Sequence, residues 1–551
     1  MVEALIPSKP SRSRIAALAE LISEAGLRNG WLSLLAARIE GRPELAYILN
    51  DPVFDGVVLT DNNLLQDLGL VQVASLYEFS LALDNRVSRK KNGQYFTPDD
   101  IAATLAWLAG SFEDGVWLDP CSGVGNLSWH LLKTQDDPES FLLTRLFLAD
   151  RDDLALLIAR VLFTEEFQNQ IPNLFIRLGS RFLVHDFLGS APPIDFDYVL
   201  MNPPYHSHGP LPGFESSGDL YALFMEQAAR SSRGFVSITP LSFTHSAKFT
   251  ALRKVLLRGF DGLTCYTFDN VPDTVFSGVK FGSVNTNVRN STRAAILVAK
   301  EVGTEHRSTP LLRWPKRERE RLFENLDSFL TEPSSPSKRP SVDQVPNLSA
   351  DLAEVDSHNS DGPASIVFTE AGFPKVGRGY EEIYTELSKL PALEGIISPR
   401  PTDFMLHIPT TPRYFISALK NPVSRTSIRD LYFVSEDHLN RAYLLLNSSL
   451  TYFWWRVMGN GMSLTLETLK SIPLPSNSVD LKLVSMLEKS EAVNRVRKLN
   501  AGSFQENVKH PKEVVSALND FWLPAHSERL SALHQGNDLH ILDISDNTPI
   551  Q

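Results

Sequence analysis

The strongest constraint on the fold is a rhythm between residues 91 and about 300. Short apolar runs, each ending on an aspartate or in a turn, alternate there with helix-like stretches. The runs are GVWLDP (115–120), RLFLAD (145–150), FLVHDF (182–187), DYVLMNPPY (197–205) and GFVSITP (234–240). Between several of them lie helical patterns such as DLALLIARVLF (153–163) and LYALFMEQAARS (220–231). Strands interleaved with helices predict an α/β domain with a mainly parallel sheet covered on both faces. In such a sheet, ligands bind outside the carboxyl ends of the strands. The residues at those ends therefore come first.

The chain has 551 residues, enough for about three or four domains. Residues 1–90 predict an N-terminal helical region, from segments such as IAALAELISEAG (15–26), and 91–305 the α/β domain. The span 306–364 reads as a linker or exposed loop. It ends in TEPSSPSKRPSVDQVPNLSADLAEVDSHNSDGPA (331–364), and its KRERER run (316–321) reads as a solvated helix face. A second globular region is expected over 365–500 and a polar, helical tail over 501–551. No run reaches the roughly 18 apolar residues needed to span a bilayer. The opening segment has no apolar core beside a cleavage site. With two cysteines, no disulfide framework is expected and a reducing cytoplasm is. The net charge of -12 argues against a protein that coats nucleic acid, although it permits one basic cleft on an acidic body.

Strand GVWLDP runs through CSGVGN into the helical LSWHLLK. Gly123 and Gly125 let the backbone turn tightly and approach a ligand. Such a turn is also compatible with a purely structural role. Asp119, at the strand end, can pair with a ligand ammonium. A dinucleotide site would carry a third glycine where Ser128 stands, so the pattern points to a cofactor without a pyrophosphate. The next strand ends at Asp150, suited to ribose hydroxyls. Asp152 is either a ligand contact or a helix cap. Asp186 either accepts from an adenine amino group or caps a loop. Upstream, in Gly93-Gln94-Tyr95-Phe96-Thr97-Pro98, Thr97 as N-cap, Pro98 at the first helical position and Asp100 make a good helix start.

DYVLMNPPY is the most specific segment. Its strand delivers Asn202 to the sheet edge, and Pro203 and Pro204 stiffen the loop and remove two backbone donors. An amino group on a planar ring can donate to the Asn202 side-chain oxygen and to the Pro203 carbonyl. Both bonds favour a pyramidal nitrogen with an available lone pair. Tyr205 can stack on the ring.

In this order, Gly93–Pro98, Asp119-Pro120-Cys121-Ser122-Gly123-Val124-Gly125, Asp150, Asp186 and Asn202-Pro203-Pro204-Tyr205 resemble the gamma-class adenine-N6 DNA methyltransferases of restriction–modification systems. The resemblance implies a Rossmann-like S-adenosylmethionine-dependent domain followed by a target-recognition domain. It gives Tyr95, Phe96 and Thr97 the methionine end of the cofactor. Asp119, Pro120, Cys121, Gly123 and Gly125 take its backbone, Asp150 the ribose, Asp186 the adenine, and Asn202 adjoins it. The catalytic set is Asn202, Pro203, Pro204 and Tyr205, with Phe276 (after Val275) as a second aromatic over a flipped base or a core residue. Double-stranded DNA is the implied partner, together with a cognate restriction endonuclease acting on the same site.

No metal is expected: His206 and His208 read as a solvated loop. In the second region Arg413, Arg425, Arg441 and Arg456 are candidates for DNA contact, and Trp454 and Trp455 for core. Three other readings stay open: a protein-glutamine or RNA-guanine methyltransferase, a bifunctional restriction enzyme using Asp480-Leu481-Lys482, and a specificity subunit that only binds. Cytosine N4 satisfies the same two acceptors as adenine N6.

Overall fold

A computed structural model describes residues 11–59, 63–84, 97–190, 192–276, 292–303, 305–332, 366–500 and 503–533, with short pieces at 280–281, 284–285, 542–543 and 548–549. The chain divides into two compact units, one built on residues 1–302 and 312–326, the other on 303–311 and 327–551 apart from a short insertion. No helix among the described residues is long and apolar enough to cross a membrane.

The first unit opens with helices α1 (Arg12–Ala25), α2 (Leu27–Glu40) and α3 (Leu70–Asp84). Trp31 of α2 is fully buried; its indole N–H donates to Ser80 Oγ of α3 (2.9 Å) and its ring meets Tyr77 edge-on. A buried tryptophan with its one donor satisfied is a strong anchor. These helices belong to the same compact unit as the sheet. Tyr77 donates to Asp152 (2.7 Å), and Arg38 pairs with Glu165 (2.8 Å).

Seven strands of the sheet lie in this unit: β1 (Trp117–Asp119), β2 (Leu146–Asp150), β3 (Phe182–Val184), β4 (Tyr198–Met201), β5 (Gly234–Pro240), β6 (Gly262–Phe268) and β7 (Ala294–Lys300). They run side by side as β6-β7-β5-β4-β1-β2-β3. The pairs β1–β2, β2–β3, β1–β4 and β4–β5 are parallel, with Trp117 opposite both Leu146 and Tyr198. The expectation of a mainly parallel sheet needs one refinement: β7 inserts antiparallel between β5 and β6. Its seven residues read as an ordinary buried apolar run, and such a run carries no sign of its direction. Chain order reverses between β1 and β4, so the ends of these neighbours form the crevice where an open α/β sheet binds its ligand.

Two boundaries move. Residues 306–332, expected within the linker, form a strand (His306–Leu312) and a helix (Arg319–Glu324). The Ser/Pro-rich part, 333–365, lies outside the described residues. The boundary at 500 falls inside a hairpin, Arg495–Asn500 paired with Ser503–Val508, ahead of helix Lys512–Trp522. Its strands are short and polar, and so resemble loop in sequence.

In the second unit Trp455 is buried and donates to Ser463 O (3.1 Å), and Trp454 is buried and stacks on Tyr384, in keeping with the expectation that both are core. Arg456 is buried and donates to Leu311 O (2.6 Å), and Arg441 donates to Pro475 O (2.7 Å). Both guanidiniums thus satisfy backbone carbonyls. Asp480 caps helix Leu481–Val493, which accounts for the Asp-Leu-Lys fragment.

Candidate active site

At the end of β1, Asp119 is 1% exposed. Its carboxyl accepts from Ser128 Oγ (3.1 Å) and the Cys121 N–H (3.4 Å). Burial nevertheless pushes its pKa up to about 8, because removing a carboxylate from water penalises the charged form more than two hydrogen bonds restore. A cation arriving there would find an acid ready to give up its proton. Ser128, which stands where a dinucleotide site has glycine, thus has a role of its own.

The loop after β1 has two left-handed glycines. Gly125 (φ +85°) starts helix Asn126–Lys133, and a Cβ there would meet Leu148 and Phe163 at 3.0 and 3.1 Å. Packing and conformation both require glycine. At Gly123 (φ +53°) a Cβ would meet nothing within 4 Å, so only the backbone conformation demands it and the space beside it is open. The Gly123 N–H donates to Asp150 Oδ2 (2.8 Å), tying the loop to the end of β2. Burial raises the pKa of Asp150 as well. Asp152 caps the helix Asp153–Phe167 through Leu154 N and Ala155 N, the structural of its two readings. Asp186 lies half-exposed beyond β3, accepts from the Leu188 N–H (3.2 Å) and sits 3.7 Å from Arg151.

Strand β4 delivers Asn202, since Leu118↔Val199 pairing sets the two strand ends side by side. The Asn202 Nδ2 donates to Thr97 Oγ1 (2.8 Å), and Tyr205 OH donates to Asn202 Oδ1 (2.7 Å). Both ends of the amide are therefore fixed. Thr97 is not the N-cap expected from sequence: Pro98 occupies that position and helix Asp99–Ala109 begins after it. The Thr97 hydroxyl faces Asn202 instead, and its carbonyl accepts from Asn126 Nδ2 (2.9 Å). One threonine thus joins the glycine loop to the Asn-Pro-Pro-Tyr loop. Among the described residues the remaining Asn126 oxygen is buried without a hydrogen-bond partner, an arrangement that favours a ligand donor. Tyr95 and Phe96 lie outside the described residues.

Tyr205 is 7% exposed and Phe276 2%. Their rings meet edge-on at 5.7 Å, and Tyr205 also meets Tyr221. In this conformation both aromatics sit in the core, and the Tyr205 hydroxyl also lies 3.1 Å from the Ile238 carbonyl. The segment leading to Phe276 is held by Arg319, which donates to the carbonyls of Thr274 (2.7 Å) and Val275 (2.9 Å) and pairs with Asp100. Sequence reasoning misses Arg319, because it sits in the charge run that reads as a solvated face. The run alternates sign from Arg317 to Arg321 and does not show which member turns inward. His208 Nδ1 contacts the Gly209 carbonyl (2.8 Å). Among the described residues no group of three His, Cys, Asp or Glu is placed to hold a metal.

Residues 72–212 match the family model of N-6 DNA methylases. The match spans β1 to β4, the glycine loop and Asn202–Tyr205, and this domain has the fold of S-adenosylmethionine-dependent methyltransferases. Among solved structures, the DrdV–DNA complex is 14% identical and aligns over 57% of this chain and 41% of its own, with a TM-score of 0.37. The methyltransferase subunit of a type I restriction–modification system from Streptococcus thermophilus is 16% identical, over 54% and 67%, at 0.32. The M protein of the type I restriction enzyme EcoKI is 15% identical, over 52% and 62%, at 0.27. The chain thus spans 41% of the length of the first of these proteins. No curated protein matches the sequence.

Proposed function

We propose that the chain transfers a methyl group from S-adenosylmethionine to adenine N6 in duplex DNA, as the modification enzyme of a restriction–modification system. The observation that carries this reading is the fixed amide of Asn202, set beside the glycine loop by neighbouring strand ends and locked by Thr97. Nδ2 donates to Thr97 and Oδ1 accepts from Tyr205, so the amide is oriented with its oxygen as the acceptor that a substrate amino group would use. An amide oxygen has two lone pairs, so it can take an amino N–H while keeping the Tyr205 hydroxyl. The Pro203 carbonyl supplies the second acceptor.

The residues around the glycine loop fit the cofactor. Asp119 suits its ammonium, Asp150 its ribose and Asp186 its adenine. The buried Asn126 oxygen offers a further acceptor, and the open space beside Gly123 leaves room for its backbone. S-adenosylmethionine supplies an electrophilic methyl on a sulfonium sulfur. Asn202 and Pro203 draw the two N6 hydrogens out of the ring plane, which frees the lone pair for attack. The N6 nitrogen would take the methyl that the cofactor supplies, and one N6 proton would leave to solvent.

A base paired within a duplex cannot reach this loop, so the adenine is extruded at a cost of about a few kcal/mol. Tyr205 and Phe276 are the aromatics that would receive it. Receiving it requires them to leave their present edge-on contact. The test is transfer of labelled methyl from S-adenosylmethionine to DNA by the purified protein, followed by mapping of the modified base. Label in protein or RNA and never in DNA overturns the proposal, and label on cytosine N4 overturns its base assignment.

A further inference from the structure

We infer that the hairpin Arg495–Val508 of the second unit is a DNA-backbone contact, a ribbon that grips phosphates rather than reading bases. The inference rests on the DNA reading above and adds where in the second unit the duplex is held.

Within residues 495–509 the cations Arg495, Arg497, Lys498 and Lys509 outnumber a single carboxylate, Glu506, in a chain whose net charge is -12. That carboxylate is engaged by the Ser424 N–H (2.9 Å). The strand Ser503–Val508 is anchored from Gln505 to Val508. Val508 is buried with Leu419 and Val423, the Glu506 N–H donates to Ser424 O, the Thr426 N–H donates to Gln505 Oε1 (3.1 Å), and Ser417 donates to Asn507 Oδ1 (2.7 Å). In the opposite strand, Arg495–Asn500, Arg495, Val496, Arg497 and Leu499 are exposed. Pairing of Arg495 with Val508, Arg497 with Glu506 and Leu499 with Phe504 puts Arg495, Arg497, Leu499 and Phe504 on one face of the ribbon, with Glu506 across from Arg497 and buried Val508 across from Arg495. The Arg497 guanidinium lies over the exposed Phe504 ring, 4.3 Å from its centroid. A cation braced on an aromatic loses less freedom when it meets a phosphate. Through Arg425, which donates to Thr411 (2.9 Å), the 424–426 loop adjoins the loop that carries exposed Arg413.

Charged residues on a short strand also guard sheet edges against aggregation. That account explains the arginines alone. It does not explain why Leu499 (59% exposed) and Phe504 (55%) share their face, since exposed apolar groups undo such protection. A two-stranded ribbon has the width to lie in or along the major groove of B-DNA, and contacts to phosphates position a protein without specifying sequence.

The experiment measures DNA affinity of the full chain across a salt series, for the wild type and for Arg495→Gln/Arg497→Gln. Each lost phosphate contact lowers the slope of log K against log salt by about 0.9. The double variant is expected to lose about 1.8 and Arg497→Gln alone about 0.9, with cofactor affinity unchanged. Slopes equal to wild type overturn the inference. So does a change confined to self-association, which would mean that the ribbon pairs copies of the chain. A wild type that binds no DNA at any salt fails earlier, overturning the DNA reading and the ribbon's role with it.

Discussion

The two halves of the site are built differently. The half proposed to hold the cofactor consists of strand ends and the loops that leave them: Asp119, Gly123 and Asp150 lie within about thirty residues and bond to one another's loops. The base half is assembled from afar. Asn202 depends on Thr97, and the segment before Phe276 depends on Arg319, which is in turn paired with Asp100. A local site is shaped by the fold of one segment, whereas a distributed one depends on bolts that make no substrate contact themselves. Substitutions in the two halves should therefore fail in different ways.

The largest effect is expected at the junction itself. Asn202→Ala removes the acceptor proposed to act on the reacting nitrogen, and single-turnover methyl transfer should fall about 10²–10³-fold or more, with cofactor affinity retained in calorimetry. Thr97→Val keeps the shape of the side chain and frees the Asn202 amide to rotate. Turnover should drop roughly ten- to a hundredfold, and Thr97→Ser should restore most of it. If valine instead weakens S-adenosylmethionine binding and leaves turnover intact, Thr97 belongs to the cofactor half alone.

The cofactor half should answer to pH. With its pKa raised to about 8, Asp119 must lose a proton to pair with an ammonium. S-adenosylmethionine affinity should therefore climb by up to roughly tenfold per pH unit below about 8 and then level off. Calorimetry in buffers of different ionisation enthalpy would detect the released proton, and Asp119→Asn should abolish both signals. Stability without ligand runs the other way. A carboxyl whose folded pKa lies above its ordinary 3.8 stabilises the fold at low pH, and that contribution fades as pH rises towards 8. Denaturant melts across that range should show wild-type stability falling with pH relative to Asp119→Asn and levelling off above about 8; parallel curves would mean that the buried acid does not titrate as described.

The smallest effect tests the far bolt. Arg319→Lys keeps the charge and loses the fork that spans two carbonyls and a carboxylate. It should cost about 1 kcal/mol, read by urea unfolding, and slow turnover roughly fivefold through a loosened Phe276. Unchanged turnover would leave Phe276 in the core and outside the catalytic set.

This division also explains what is legible in the sequence. Strand runs ending in aspartate carry their own signal, because apolar period and turn chemistry are local. The sequence alone therefore places Asp119, Asp150 and Asn202 at sheet ends. Thr97 reads as a cap because Thr-Pro-Asp-Asp is a sound helix start, and nothing nearby shows that its hydroxyl is needed by a residue 105 positions on. Arg319 is hidden by its charged neighbours for the same reason. The antiparallel β7 and the 495–508 hairpin escape because strand direction and pairing are tertiary properties. Arg441 and Arg456 read as candidates for DNA contact, and only the fold brings them the carbonyls that they satisfy.

The hydrogen bond from Tyr77 to Asp152 bears on how such a chain can be cut and recombined. Asp152 caps the helix that follows β2, and Asp150 in the same turn holds the glycine loop. A fragment trimmed to begin near residue 91 would keep every sequence motif of the site. It would lose the tyrosine that braces this turn and the Arg38 that pairs with Glu165 on the helix after β2. The amino-terminal helices are thus poor candidates for replacement in chimaeras, and domain swaps should join at points beyond the sheet.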